Sequence, residues 1–194
     1  MVKKQIGIFS GSFNPIHVGH LILANYIAEF TLLDEVWLLV SPHNPLKEKE
    51  DLLDENIRLK MAEIALEDYD NLNASDFEFT LPRPSYTINT LDKLSINYPN
   101  CIFTLIIGGD SWLDFHRWKE YDRLRREYNI MIYPRLGEEV IIPAEFSQHV
   151  QLVKAPFVDI SSTFIRESIK EGKNMRAFVP SRVYDFIEEN KLYL

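Results

Sequence analysis

His17 and His20 stand three residues apart, directly after the turn-forming stretch Gly11-Ser12-Phe13-Asn14-Pro15-Ile16. At that spacing they share one face of a first helical turn. A glycine such as Gly11 has no Cβ, so its backbone can approach a ligand closely. A helix beginning at about His17 would aim its free N–H groups and positive dipole end at whatever the turn holds. That arrangement suits a phosphate, with the imidazoles as donors to charge developing in a transition state. Two plainer readings stand beside it: a pair of core histidines, or a pair of metal ligands. A structural zinc site needs about four ligands, and the chain has one cysteine and five histidines in all. The glycines match neither the dinucleotide fingerprint nor the P-loop.

Four further segments carry candidate chemistry. In Pro42-His43-Asn44-Pro45-Leu46-Lys47, the prolines hold a loop extended and Lys47 offers a point charge to a phosphate. Lys47 also begins a charged run, Glu48 to Asp51, and could simply be solvated with it. In the segment from Arg83 to Leu91, Ser85 or Thr87 would cap a helix, leaving N–H groups near Tyr86 and Thr87 for a carboxylate. In Ile107-Gly108-Gly109-Asp110-Ser111-Trp112, the glycines permit a tight turn or close approach, and Asp110 could accept from ribose hydroxyls. The nearby Trp112, Phe115, Trp118 and Tyr121 are core, or one of them stacks on a heteroaromatic ring. Finally Ile160, Ser161, Ser162 and Thr163 lead into a helix carrying Arg166 one turn on, which makes a second anion site. Glu167 suggests a capping box there, which is compatible with a ligand at the same helix start.

These segments need strands to present them. Apolar runs from Gln5 to Ser10, Glu35 to Ser41, Asn71 to Phe77, Ile102 to Ile107, Asn129 to Tyr133 and Val150 to Val153 read as strands. Several are continuous rather than alternating, as in parallel sheets covered on both faces. Helical patterns lie from His17 to Phe30, Asp54 to Glu67, Thr87 to Asn97, Tyr121 to Glu127, Ser162 to Glu171 and Ser181 to Glu189. The alternation predicts an α/β fold, a Rossmann-like open and mainly parallel sheet with helices on both faces. A single domain over residues 1–194 is expected, with C-terminal helices from about residue 162 packed onto it.

The 194 residues carry a formal charge of −8, which opposes broad nucleic-acid binding. The lone Cys101 fits a reducing compartment. No hydrophobic run suits a signal peptide or a membrane span, so a soluble cytoplasmic protein is expected.

Taken together, the motifs resemble the nicotinate-nucleotide adenylyltransferases of the H-x-G-H nucleotidyltransferase superfamily. The resemblance runs from Gly11–His20 through Pro42–Lys47, Ser85–Leu91, Ile107–Trp112 and Trp118 to Ile160–Arg166. Ser12 stands where the family usually has glycine, and Asn14 and Asn89 where it usually has aspartate. Asparagine can keep much of the turn hydrogen bonding. Phosphopantetheine adenylyltransferases carry threonine where His17 stands, and cytidylyltransferases end in a different signature. The resemblance implies transfer of adenylyl from ATP to nicotinate mononucleotide, with pyrophosphate released and Mg²⁺ accompanying ATP. It implies catalytic roles for His17, His20, Lys47 and Arg166. It assigns ATP to Ser10, Gly11, Ser12, Phe13, Gly108, Asp110, Ile160, Ser161, Ser162, Thr163 and the same histidines and arginine. The mononucleotide falls to Lys47, Ser85, Tyr86, Thr87, Asp110 and Trp118, with no resident metal ligands. An adenylyltransferase for another phosphorylated small molecule, a non-catalytic nucleotide-binding module and a homo-oligomeric assembly all stay open at this point.

Overall fold

Residues of each central strand alternate between two separate apolar layers. Ile6 and Ile8 of the first strand face one core together with Phe103, Leu105 and Ile107, while Phe9 faces the other with Ile106 and Met131. Side chains that alternate yet are apolar on both sides make a sheet buried on both faces. The computed structural model describes residues 2–42, 52–135, 137 and 140–194.

The strands are β1 (Lys4–Gly11), β2 (Glu35–Val40), β3 (Leu72–Ser75), β4 (Cys101–Gly108), β5 (Asn129–Tyr133) and β6 (Val150–Leu152). All pairings are parallel, in the order β3-β2-β1-β4-β5-β6. The helices are α1 (Val18–Phe30), α2 (Glu55–Leu66), α3 (Thr87–Asn97), α4 (Gly109–Leu113), α5 (Tyr121–Glu127), α6 (Ser162–Lys170) and α7 (Ser181–Glu189). Helices α1, α2, α6 and α7 pack on one face, and α3 and α5 on the other. The predicted α/β architecture is the one observed.

Chain order runs outward from β1 in both directions, so consecutive crossovers leave opposite ways from β1 and β4. Open α/β sheets bind ligands at such a switch point, outside the carboxyl ends of the strands. Gly11 ends β1 and Gly108 ends β4.

Three local expectations are corrected. The first helix begins at Val18, with His17 as its N-cap in extended conformation. The third strand stops at Ser75, because the chain turns at Asp76 into a 3-10 turn over Phe77–Thr80. Gly108-Gly109 does not make a tight turn; Gly109 starts α4, a helix the sequence reading lacked.

Candidate active site

A cavity of about 940 Å³ opens at the switch point, within the size range of small-molecule sites. Every residue that the resemblance assigns to catalysis, ATP or the mononucleotide and that lies among the described residues lines it: Ser10, Gly11, Ser12, Phe13, His17 and His20 from the first turn, Ser85, Tyr86, Thr87 and Trp118 from one wall, Gly108 and Asp110 between, and Ile160, Ser161, Ser162, Thr163 and Arg166 from the opposite wall; Gly109, Phe115 and Tyr121 do not line it. Lys47 falls outside the described residues.

The first turn is built around rings. Phe13 takes a left-handed φ of 45° and sinks to 2 % exposure. Its ring lies edge-on to His20 at 5.0 Å and to Phe9 at 5.8 Å. A Cβ on Gly11 would come within 3.0 Å of that ring. Gly11 therefore makes room for Phe13 as well as lining the cavity. A Cβ on Gly19 would stand 3.0 Å from His17 Nδ1. The glycine between the histidines thus lets the His17 ring lie flat on the helix and stack on His20, with centroids 3.7 Å apart.

The same hydrogen bonds revise the picture of free donors at this helix start. The His17 N–H donates to His20 Nδ1 at 3.2 Å, and the Val18 N–H donates to the Phe178 carbonyl at 3.0 Å. The His20 N–H returns to the His17 carbonyl. Much of the N-terminal donor set is thus used internally, and the imidazoles become the polar groups at the cavity. Because His20 Nδ1 accepts a backbone proton, its neutral ring must carry hydrogen on Nε2. His17 is 4 % exposed and its Nδ1 has no hydrogen-bond partner among the described residues. Burial, aided by the positive charge of Arg135, lowers its pKa to about 4. His17 is therefore a neutral ring, not a cation, at neutral pH.

On the opposite wall, Ser161 caps α6 by accepting from the Phe164 N–H at 3.1 Å. No reciprocal bond from Glu167 forms, since the third helical position is Phe164; the expected capping box is only half present. The Ser162 hydroxyl donates to the Pro15 carbonyl at 2.9 Å, and Arg166 Nη1 to the Asn14 carbonyl at 3.0 Å. These bonds clamp α6 onto the first turn. Asp110 accepts from the Ser111 N–H at 2.9 Å and faces Arg135 Nε at 3.6 Å.

The remaining wall is the start of α3. Neither Ser85 nor Thr87 caps it: the N-cap is Tyr86 and has no side-chain cap. The Ser85 hydroxyl is drawn instead to Glu78, at 3.2 Å. Leaving this helix uncapped leaves its first N–H groups, beside the cavity-lining Tyr86 and Thr87, open to an outside acceptor. Of the aromatic cluster, Trp112 stacks on Phe115 and donates to the Ile141 carbonyl at 3.1 Å, so it belongs to the packing. Trp118 is half-buried against Phe115 and reaches the cavity. Lys119 holds its ammonium 4.6 Å over the Tyr86 ring.

Two buried charges under this site escaped the sequence reading. Arg58 is fully buried and donates to the carbonyls of Ser12, Ser41, Pro42 and Leu53 at 2.6, 2.8, 3.3 and 2.9 Å. Glu78 is 4 % exposed and faces the cavity floor. In sequence, Arg58 reads as a solvent residue of an amphipathic helix and Glu78 as a polar residue beside a strand. Arg135 and Tyr133 also line the cavity; Tyr133 ends β5 and Arg135 lies two residues on, and that place at a strand end was the available signal.

The cytidylyltransferase-like family model matches residues 8–168. A Flavobacterium johnsoniae protein named probable nicotinate-nucleotide adenylyltransferase is 48 % identical over 191 residues, covering 97 % of this chain and 98 % of that one. A Bacteroides fragilis protein of the same name is 50 % identical over 184 residues, covering 95 % and 91 %. The nicotinic acid mononucleotide adenylyltransferase of Plasmodium falciparum, solved with NaAD, shares the fold with a TM-score of 0.80 at 21 % identity, over 98 % of this chain and 97 % of that one.

Proposed function

The chain belongs to the nicotinate-nucleotide adenylyltransferases, within the cytidylyltransferase-like family, and on that premise we propose that it transfers the adenylyl group of ATP to nicotinate mononucleotide. The products are nicotinate adenine dinucleotide and pyrophosphate. The mononucleotide's phosphate oxygen bonds to the α-phosphorus as the bond to the β-phosphate oxygen breaks. The attacking phosphate is already anionic, so no protein nucleophile or general base is required. Catalysis is then positioning plus stabilisation of developing charge.

The observation that carries this reading is the meeting of both imidazoles and the start of α6 over one cavity, at the carboxyl ends of β1 and β4. His20, with hydrogen on Nε2, would donate to the phosphate oxygens, joined by neutral His17. Arg166, Ser162 and Thr163 would hold the triphosphate and the leaving pyrophosphate. ATP would enter with Mg²⁺ on its phosphates. Among the described residues no group of three or more His, Cys, Asp or Glu could hold a metal ion, so phosphate oxygens and water suit it best. Asp110 would accept from ribose hydroxyls, and Trp118 would stack on the pyridine ring. The open N–H groups at Tyr86 and Thr87 would receive the nicotinate carboxylate, with the Lys119 ammonium nearby. An amide would set its own N–H₂ against those donors, which favours the acid.

The test is pyrophosphate release with ATP and Mg²⁺, comparing nicotinate mononucleotide, nicotinamide mononucleotide and phosphopantetheine. Preference for the nicotinate form is expected. Equal use of acid and amide would overturn the carboxylate assignment, and turnover of phosphopantetheine alone would overturn the substrate.

A further inference from the structure

Glu78 sits on the 3-10 turn between β3 and α3, with no arginine or lysine paired to it among the described residues. Its carboxylate instead gathers hydroxyls from four places in the chain. Oε2 accepts from Ser41 at 3.0 Å and Ser85 at 3.2 Å; Oε1 accepts from Thr90 at 3.0 Å and Ser10 at 3.4 Å. The Ser10 and Ser41 hydroxyls also meet each other at 2.9 Å. A carboxylate suits this position because it offers about four acceptor sites and no donor. Burial pushes its pKa up, and the hydroxyl bonds partly offset the rise.

These partners have one thing in common. Ser10 lies near the end of β1, Ser41 directly follows β2, and Ser85 precedes the uncapped start of α3. Ser41 is itself anchored, its N–H donating to the Gly11 carbonyl at 2.9 Å and its carbonyl accepting from Arg58 at 2.8 Å. The stretch from Leu81 to Tyr86 is irregular. It is tied by Ser85 to Glu78 inside and by Arg83 to Glu55 at the surface, where a side chain 54 % exposed makes a weak tether.

We propose that Glu78 is a positioning residue for the mononucleotide: through Ser85 it fixes the open N–H groups of Tyr86 and Thr87 at a set distance from the phosphate-binding end of β1. This rests on the assignment of that wall to the mononucleotide. Glu78 acts through the hydroxyls it holds. It acts by holding the acceptor's wall in register with the donor's, so that the attacking phosphate meets the α-phosphorus in line.

Glu78→Ala, Glu78→Gln, Ser85→Ala and the Glu78→Gln/Ser85→Ala double variant test this, by initial rates and thermal unfolding of the full chain. Glu78→Ala should raise KM for nicotinate mononucleotide about tenfold or more, with KM for ATP changed less than about threefold. Glu78→Gln should recover part of the loss, since hydroxyls can turn to accept from the amide. In the double variant the two effects on that KM should fall well short of their product, because the residues act through one contact. Equal rises in both KM values, or effects that multiply, would overturn the proposal. If Glu78→Ala does not fold, the Ser85 cycle decides on the same criteria. Failure of the substrate assignment would show separately, as wild-type protein that does not turn over the nicotinate form.

Discussion

Lowering the pH should destabilise this protein through His17. Its folded pKa is about 4 against an ordinary 6.5. The unfolded chain therefore binds a proton that the native state refuses between those values, and stability rises with pH across that window. The gap between those values corresponds to about 3 kcal/mol at full effect. Full effect is reached only below pH 4; at pH 5 the same linkage gives a loss of about 2 kcal/mol relative to pH 7. Glu78 works in the opposite direction, since a carboxyl with a raised folded pKa stabilises the native state as pH falls. The measurement must isolate His17. Urea unfolding of wild type and His17→Leu at pH 7 and pH 5 does so, because the Glu78 contribution is common to both. Wild type should lose about 2 kcal/mol more than the variant between the two values. An NMR titration of the imidazole Cε1–H resonances gives an independent reading in the wild-type chain: one ring should stay neutral down to about pH 5. Equal pH sensitivity in both proteins, or every ring titrating near 6.5, would refute the claim that burial holds His17 neutral.

Three further outcomes follow from the same contacts. His20→Ala should lower kcat by about a hundredfold or more, the usual consequence of losing one transition-state donor; a folded variant with near-normal kcat would remove His20 from the reaction. Trp118→Ala should raise KM for the mononucleotide about tenfold, in the range measured for base–aromatic stacking, and an unchanged KM would move the stack to another ring. Arg58→Ala should cost at least about 3 kcal/mol in urea unfolding, since two buried and two part-buried carbonyls lose their donor; a loss below about 1 kcal/mol would show that water replaces the guanidinium.

The parallel sheet was legible because its strands are buried on both faces. A run as short as Ile102 to Ile107, apolar but for Thr104, suits a covered strand better than a helix. The cavity-lining residues were legible where glycine, proline and hydroxyl residues punctuate the strand ends. What stayed hidden depends on contacts between distant segments. Glu78 draws Ser10, Ser41, Ser85 and Thr90 from across the chain, and nothing in Phe77-Glu78-Phe79 announces that. The cap expected from Ser85 failed for the same reason, since its hydroxyl had a stronger, non-local acceptor. The room Gly11 makes for Phe13 stayed hidden too, because the left-handed backbone of Phe13 is a property of the folded turn.

A protein with a formal charge of −8 must bind two anionic nucleotides. One solution is a dense cluster of cations, but it would hold substrates and products alike. Tight binding that is uniform along the reaction coordinate lowers KM without raising kcat, and it retains pyrophosphate. The histidines follow another route. His17 is kept neutral by burial, and His20 has its Nδ1 occupied by a backbone N–H. Each can offer a dipole in place of a full positive charge. A dipole attracts a resting phosphate weakly and gains as negative charge builds on the transferring group and on the departing pyrophosphate. Placing the His20 ring against Phe9 and Phe13 would strengthen the discrimination, because a donor in an apolar setting responds more to added charge than one in water. The stacked pair is thus arranged to respond to the transition state more than to the ground state. On the proposed assignment, Arg166 and the start of α6 would supply the binding that brings the triphosphate in.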